Sequence, residues 1–196
     1  IREALSEQNR YEENMKKAAQ DIYDESRRNG RITVLLAGRP YHTDPLVQHK
    51  LSDMVSDMGV DVITEDIARN MPLAIDDAHI VSQWAYINRI LRAAKWAAMQ
   101  DGDVHFVQMT SFGCGPDAFL LDEVRAMLGR HGKSLTILKI DDVTNIGSIK
   151  LRVRSIVDSL KYSHRKSYTE PFVTTKSYLA DDRRRKIIAP YFTGYL

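Results

Sequence analysis

The sequence predicts a three-layer α/β domain with a parallel sheet of four to five strands, preceded by an amphipathic helix. Three observations carry that expectation. Short apolar runs at 31–38, 60–64, 104–109 and 134–140 read as strands covered on both faces, as parallel strands are. Between them lie longer stretches whose apolar residues recur three and four apart, the helical spacing. Gly, Pro and polar residues gather where the strands end, and in an open parallel sheet that edge is where ligands bind. The alternation β-α-β-α-β-α-β-α with right-handed crossovers reads as a Rossmann- or flavodoxin-like domain.

The elements follow in chain order. Residues 1–29 read as one helix in which Ile1, Gln8, Met15 and Ile22, and likewise Ala4, Tyr11 and Ala18, repeat every seven residues, with Gly30 as its stop. A helix lying on the domain flank is the favoured reading, and a linker or partner-docking arm is the other. The first strand ends in the run GRPYHTDP at 38–45. Asp44 there suits an N-cap and Pro45 a first helical turn. Val47, Leu51, Met54, Val55 and Met58 would face inward, and Gly59 would close that helix. The second strand leads to Glu65 and Asp66. A helix over about 79–99 would turn Ile80, Trp84, Ile87, Leu91, Ala94 and Ala98 inward and Arg89, Arg92 and Lys95 outward. The third strand enters TSFGCGPDA at 110–118, a strand, glycine turn and helix start. The helix beyond it packs Phe119, Leu120, Val124 and Leu128. The fourth strand ends at Asp141 and Asp142, ahead of a helix over about 148–160. Residues 161–184 are polar, with a short helix around 174–179, and a fifth strand starts near Lys186. The expected organisation is therefore a helix or linker at 1–30, the α/β domain at 31–160, and a basic linker with a final strand at 161–196. With no initiator Met, and a new strand at its end, the chain reads as part of a longer polypeptide with a further domain downstream.

Composition bounds the function. Of 196 residues, 43% are hydrophobic and 28% charged, the balance of a soluble globular protein. No apolar run reaches the roughly 18 residues that suggest a membrane span. A single cysteine excludes an internal disulfide framework and fits a reducing, cytoplasmic setting. The formal charge of +2 is unevenly spread: residues 150–196 hold 11 Lys and Arg against 4 Asp and Glu. That basic tail lacks an aromatic stacking pattern, so nucleic acid is not the expected partner.

Three strand ends carry the candidate chemistry. The first holds Arg39, Tyr41, His42 and Asp44; the third holds Ser111, Gly113, Cys114, Gly115 and Asp117; the fourth holds Lys139, Asp141, Asp142 and Asn145. A 2-1-3-4 strand order would set the first and third face to face. Neither GxGxxG nor GxxxxGK(S/T) is present, so a phosphate site here would be atypical. Arg39 suits a bidentate phosphate or carboxylate clamp, and equally suits a pair with a nearby Asp. Cys114 has three readings: a nucleophile with His42 as base, one ligand of an iron–sulfur cluster completed elsewhere, or a buried structural thiol. Glycines on both sides favour close approach of a ligand. Asp141 and Asp142 read as caps rather than a metal pair. His49, His79, His105, His131 and His164 show no ligand spacing.

The motifs GRPYHTDP (38–45), VITED (62–66), WAYINR (84–89), QMTSFGCGPDA (108–118) and LKIDDVTNIG (138–147) together resemble a domain of large proteins related to 2-hydroxyacyl-CoA dehydratase activators. The resemblance covers about 31–160 and the strand at 186. It implies a Rossmann-like fold, a cytoplasmic multidomain redox protein, and activase-type ATPase and dehydratase-like reductase parts as partners within the same polypeptide. In the wider family, cysteines at strand ends bind [4Fe–4S] clusters that receive electrons from an ATP-driven activase. Cys114 would then be a cluster ligand, with Gly113 and Gly115 admitting sulfide. Arg39, His42 and Ser111 would line the cluster's surroundings or contact an acyl-CoA-like substrate. The departure is that one cysteine cannot complete a cubane, so no cofactor is expected in this segment alone. The activase's ATP-binding and cluster motifs are absent, so the segment is not the ATPase and by itself is expected to be inactive. The leading reading is a module helping to hold a cluster or acyl-CoA-like substrate. The alternatives are a docking module between ATPase and reductase parts, or a phosphate or anion binder.

Overall fold

Four parallel strands, β1 (Thr33–Ala37), β2 (Asp61–Thr64), β3 (Val104–Thr110) and β4 (Leu135–Lys139), form one sheet in the order β2-β1-β3-β4. The computed structural model describes residues 1–44, 46–73, 84–101, 103–111, 115–140 and 146–165. Among the described residues, five helices accompany the strands: α1 (Arg2–Arg28), α2 (Leu51–Ser56), α3 (Ala85–Met99), α4 (Gly115–Gly129) and α5 (Ile146–Arg165). Two 3₁₀ turns, Pro40–Thr43 and Glu65–Ala68, follow β1 and β2.

The alternation of side chains along each strand builds two cores. Leu35, Ala37, Ile63, Val104 and Phe106 face α1, α3 and α4. Val34, Leu36, Val107, Met109 and Leu138 face α2 and α5. This is the three-layer α/β fold with a parallel sheet and an N-terminal helix that the sequence predicts, in a Rossmann- or flavodoxin-like arrangement. The expected fifth strand near Lys186, and the short helix around 174–179, lie outside the described residues. α5 continues through Arg165, past its predicted end at Leu160, and Lys161 Nζ donates to the Met58 carbonyl at 2.6 Å. No helix among the described residues is long and apolar enough to cross a membrane.

Three elements depart from the sequence reading. In α1 the buried residues are Ala19, Tyr23 and Ser26, while Tyr11 and Ile22 of the predicted heptad stripe are exposed. The spacing of four and three is the predicted one, but the packed stripe lies about one position further along the chain, on the face turned to the domain. Tyr23 meets Trp96 edge-on at 5.0 Å and donates to Gln100 Oε1. Ser26 is buried because its hydroxyl donates to the Arg31 carbonyl and accepts from Thr33 Oγ1. The helix predicted after Asp44 is interrupted. Asp44 Oδ1 accepts from the Leu46 and Val47 amides, but His49 and Lys50 then take positive φ, and regular helix is confined to Leu51–Ser56. Val47 is consequently exposed, and Leu51 and Val55 carry the packing. Trp84, expected inside, precedes α3 in extended backbone, is 49% exposed and stacks on Tyr86.

Candidate functional site at the switch point

β1 and β3 are hydrogen-bonded neighbours whose crossovers cover opposite faces of the sheet, so their carboxyl ends form the topological switch point, where sheets of this kind have their crevice. The segment after β1 turns sharply. Gly38 has no room for a side chain: a Cβ there would lie 2.7 Å from His42 Nδ1. Arg39 then opens the 3₁₀ turn, and His42 reaches back so that its Nδ1 accepts the Arg39 backbone N–H at 3.1 Å. That bond assigns the ring proton to Nε2, which lies 3.2 Å from Ser111 Oγ. His42 is fully buried, and desolvation pushes its pKa below the ordinary value, with Asp117 opposing and Arg39 assisting. It is held neutral and donates to Ser111, so it is not placed to take the Ser111 proton.

The remaining polar groups close a network. Arg39 Nη1 donates to Tyr41 Oη at 3.2 Å, and Tyr41 Oη lies 3.3 Å from Ser111 Oγ. Arg39 Nη2 pairs with Asp117 Oδ1 at 3.1 Å, and Thr110 Oγ1 donates to Asp117 Oδ2. The guanidinium carbon of Arg39 stands 5.1 Å from the Tyr86 ring centroid. Five predicted site residues, Arg39, Tyr41, His42, Ser111 and Asp117, are thus brought together across the switch point. The partner of Arg39 is Asp117 at the start of α4, not an acid in its own loop. Gly115 begins α4 with open space where a Cβ would stand. Gly113, Cys114 and Asn145 lie outside the described residues, as do Asp141 and Asp142.

Sequence reasoning missed Thr110, Tyr86 and the buried Gln108 as members or neighbours of this region. Thr110 was readable as a polar residue ending an apolar strand. Tyr86 gave no signal, because a helical aromatic is usually core.

The proton count of the network is informative. Tyr41 and Ser111 share one hydrogen bond but own two hydroxyl protons. Tyr41 Oη already accepts from Arg39, and Ser111 Oγ already accepts from His42. One O–H is therefore left to donate outward, whichever way the shared bond points. A resident iron–sulfur cluster finds less here. Among the described residues no three His, Cys, Asp or Glu side chains gather where a metal ion could be held. His42 uses one ring nitrogen on Arg39 and the other on Ser111, and Asp117 is spent on Arg39 and Thr110. These residues do not fit a cluster's ligand set.

No curated protein and no solved structure matches the chain. Residues 1–68 match the family model described as CoA enzyme activase uncharacterised domain (DUF2229), a stretch that runs from α1 to the second 3₁₀ turn and includes Arg39, Tyr41 and His42 but not Ser111 or Asp117.

Proposed function

We propose that this chain is a non-ATPase module of a multidomain protein of the CoA-enzyme-activase type, and that its switch-point crevice holds an acyl-CoA-like small molecule. The family match over residues 1–68 supports the protein class. The observation that carries the binding reading is the outward O–H left over by the Tyr41–Ser111 pair, at the carboxyl ends of adjacent strands. A thioester carbonyl or an acyl carboxylate is the acceptor that such a donor suits. Arg39, clamped by Asp117, fixes the donor's position rather than meeting the ligand bidentately.

The test is calorimetric titration of CoA and acetyl-CoA into the chain and its Ser111→Ala variant. Acetyl-CoA binding weakened about tenfold by the loss of one hydrogen bond supports the reading. Equal affinities of the two proteins, or no binding to either, remove it.

A cluster at Cys114 is a second reading, favoured by its place in the chain between Ser111 and Asp117, both of which border the crevice. Its other ligands must come from other parts of the parent protein. Iron and acid-labile sulfide counts on the anaerobically reconstituted parent, with and without Cys114→Ala, decide it. Loss of about four irons supports a [4Fe–4S] cluster, and an unchanged count ends the ligand role.

A further inference from the structure

A second polar pocket, of about 90 Å³, lies beside the edge strand β2, between the second 3₁₀ turn and α3. Glu65, Asp66, Arg69, Asn70, Arg89 and Arg92 line it. None of them belongs to the switch-point network.

Both oxygens of Asp66 are engaged: Oδ1 accepts from Arg69 and Arg89, and Oδ2 accepts from Thr64 Oγ1. Arg69 also reaches Glu12 of α1 at 3.1 Å. Glu65 is 2% exposed and is only half satisfied. Its Oε1 takes Arg89 at 2.9 Å, and its Oε2 has no hydrogen-bond partner among the described residues. The Nε atoms of Arg69 and Arg92 are buried and equally without partners there. Arg92 forms no ion pair with any described residue.

A buried carboxyl oxygen and buried guanidinium donors that leave one another unpaired are costly unless something bridges them. The chemistry of the bridge follows from the charge count. Three guanidiniums line the pocket against two carboxylates, and a cation would face the guanidiniums. An oxyanion accepts from Arg92 and Arg69, and it accepts from Glu65 too when that carboxyl is protonated. We propose that this pocket is an oxyanion-binding site, sized for a sulfate- or phosphate-like group, in which Arg92 supplies the charge and Glu65, as the neutral acid, supplies a hydrogen bond.

The proton inventory agrees with the geometry. Burial pushes the Glu65 pKa up to about 7, against the pull of Arg89 and Arg69 and with the help of Asp66. The charged groups around it are Asp66 and Arg69 from the turn, Arg89 and Arg92 from α3, and Glu12 of α1 through Arg69. A bound dianion favours the protonated acid, so binding takes up a proton and weakens as pH rises through 7.

Sulfate is the probe, because it does not titrate in this range. Calorimetry on the full chain should give saturable binding, about tenfold tighter near pH 6 than near pH 8. Glu65→Gln, which keeps a donor and cannot ionise, should bind with the acid-range affinity at both values. Arg92→Ala should weaken binding at least about tenfold. Its guanidinium pairs with nothing described, so its loss leaves the fold intact, and Arg92→Gln provides a second check. Ser111→Ala should bind sulfate as the unmodified chain does, which separates this pocket from the crevice. CoA distinguishes a free oxyanion from a phosphate carried by a larger molecule. CoA no tighter than sulfate assigns the free anion; tighter binding lost in Arg92→Ala assigns the phosphate ester. Sulfate affinity indifferent to Arg92, or to pH, overturns the proposal, as does the absence of saturable binding.

Discussion

His42 shows how much one residue of the crevice demands of its neighbours. Its burial requires Gly38, since any Cβ there would meet Nδ1 at 2.7 Å. Gly38→Ala should cost about 1–3 kcal/mol in denaturant unfolding, through overpacking against a side chain with nowhere to go. The cost should shrink in a His42→Ala background, where the clash has no target; equal costs in both backgrounds would falsify the packing argument. Protonation tests the same residue from another side. The folded state holds the His42 pKa below 6.5, its unperturbed value, so the unfolded chain binds the proton first as pH falls. Stability associated with His42 is present above about pH 6.5 and is lost on acidification below it. Glu65 has the opposite sign. Its pKa rises from 4.5 to about 7, so the folded state holds a proton that the unfolded chain has released. Between those values stability falls as pH rises, and above 7 the loss is complete. Glu65→Gln should therefore be more stable than the unmodified protein above pH 7, by about 3 kcal/mol, with the difference vanishing below about pH 4.5. Unfolding free energies at the two extremes decide this. At this scale the crevice was legible, because Arg39, Tyr41, His42, Ser111 and Asp117 are polar groups that an apolar strand end does not need. The Glu65 pocket was not: a helical periodicity places Arg89 and Arg92 on the solvated face of α3, and only the turn packed against that helix reveals them as walls.

At the scale of elements, α1 divides into two unequal halves. Residues 1–11 are exposed on every side, while Ala19, Tyr23 and Ser26 are packed into the domain. Deleting residues 2–11 should change the unfolding free energy by less than about 0.5 kcal/mol, because no buried contact is lost. Tyr23→Ala should cost about 3 kcal/mol, from the lost ring packing on Trp96 and the lost bond to Gln100. A deletion as damaging as the Tyr23 change would mean that the first turns of α1 are covered. The strands and α4 were read nearly in place, because a run of Val, Ile and Leu between polar stops admits few alternatives. The first turns after β1 were misjudged for a definite reason. Asp44 does cap a turn, as its residue type indicates, yet the left-handed backbone at His49 and Lys50 ends that turn before it becomes a helix. Lys50 does not announce a positive φ, and His49 does so far less plainly than Gly would have done. The same limit explains Trp84: apolar spacing extends the pattern of α3 upstream, while the regular helix starts at Ala85.

For the whole molecule, the order β2-β1-β3-β4 makes β1 and β3 the only described strands paired on both sides. They also carry the most buried residues, with both cores anchored on them. The switch point thus sits at the most constrained junction of the fold, which suits the proposed binding site, whose donors must stay fixed without a ligand. Native-state hydrogen exchange provides the check. Amides of β1 and β3 should exchange only through global unfolding, those of β2 and β4 should open at lower free energy, and those of 2–11 should exchange near the rate of an unprotected helix. The 3₁₀ turn Pro40–Thr43 should behave like β1, because His42 accepts the amide of Arg39, the residue that opens the turn, and is itself buried. If that turn opened independently of β1, the network would be a loose surface arrangement, and Ser111 could not hold an acceptor at a fixed place. Slow exchange at the His42 amide, matched to that of Leu36, is the result the preorganised crevice requires.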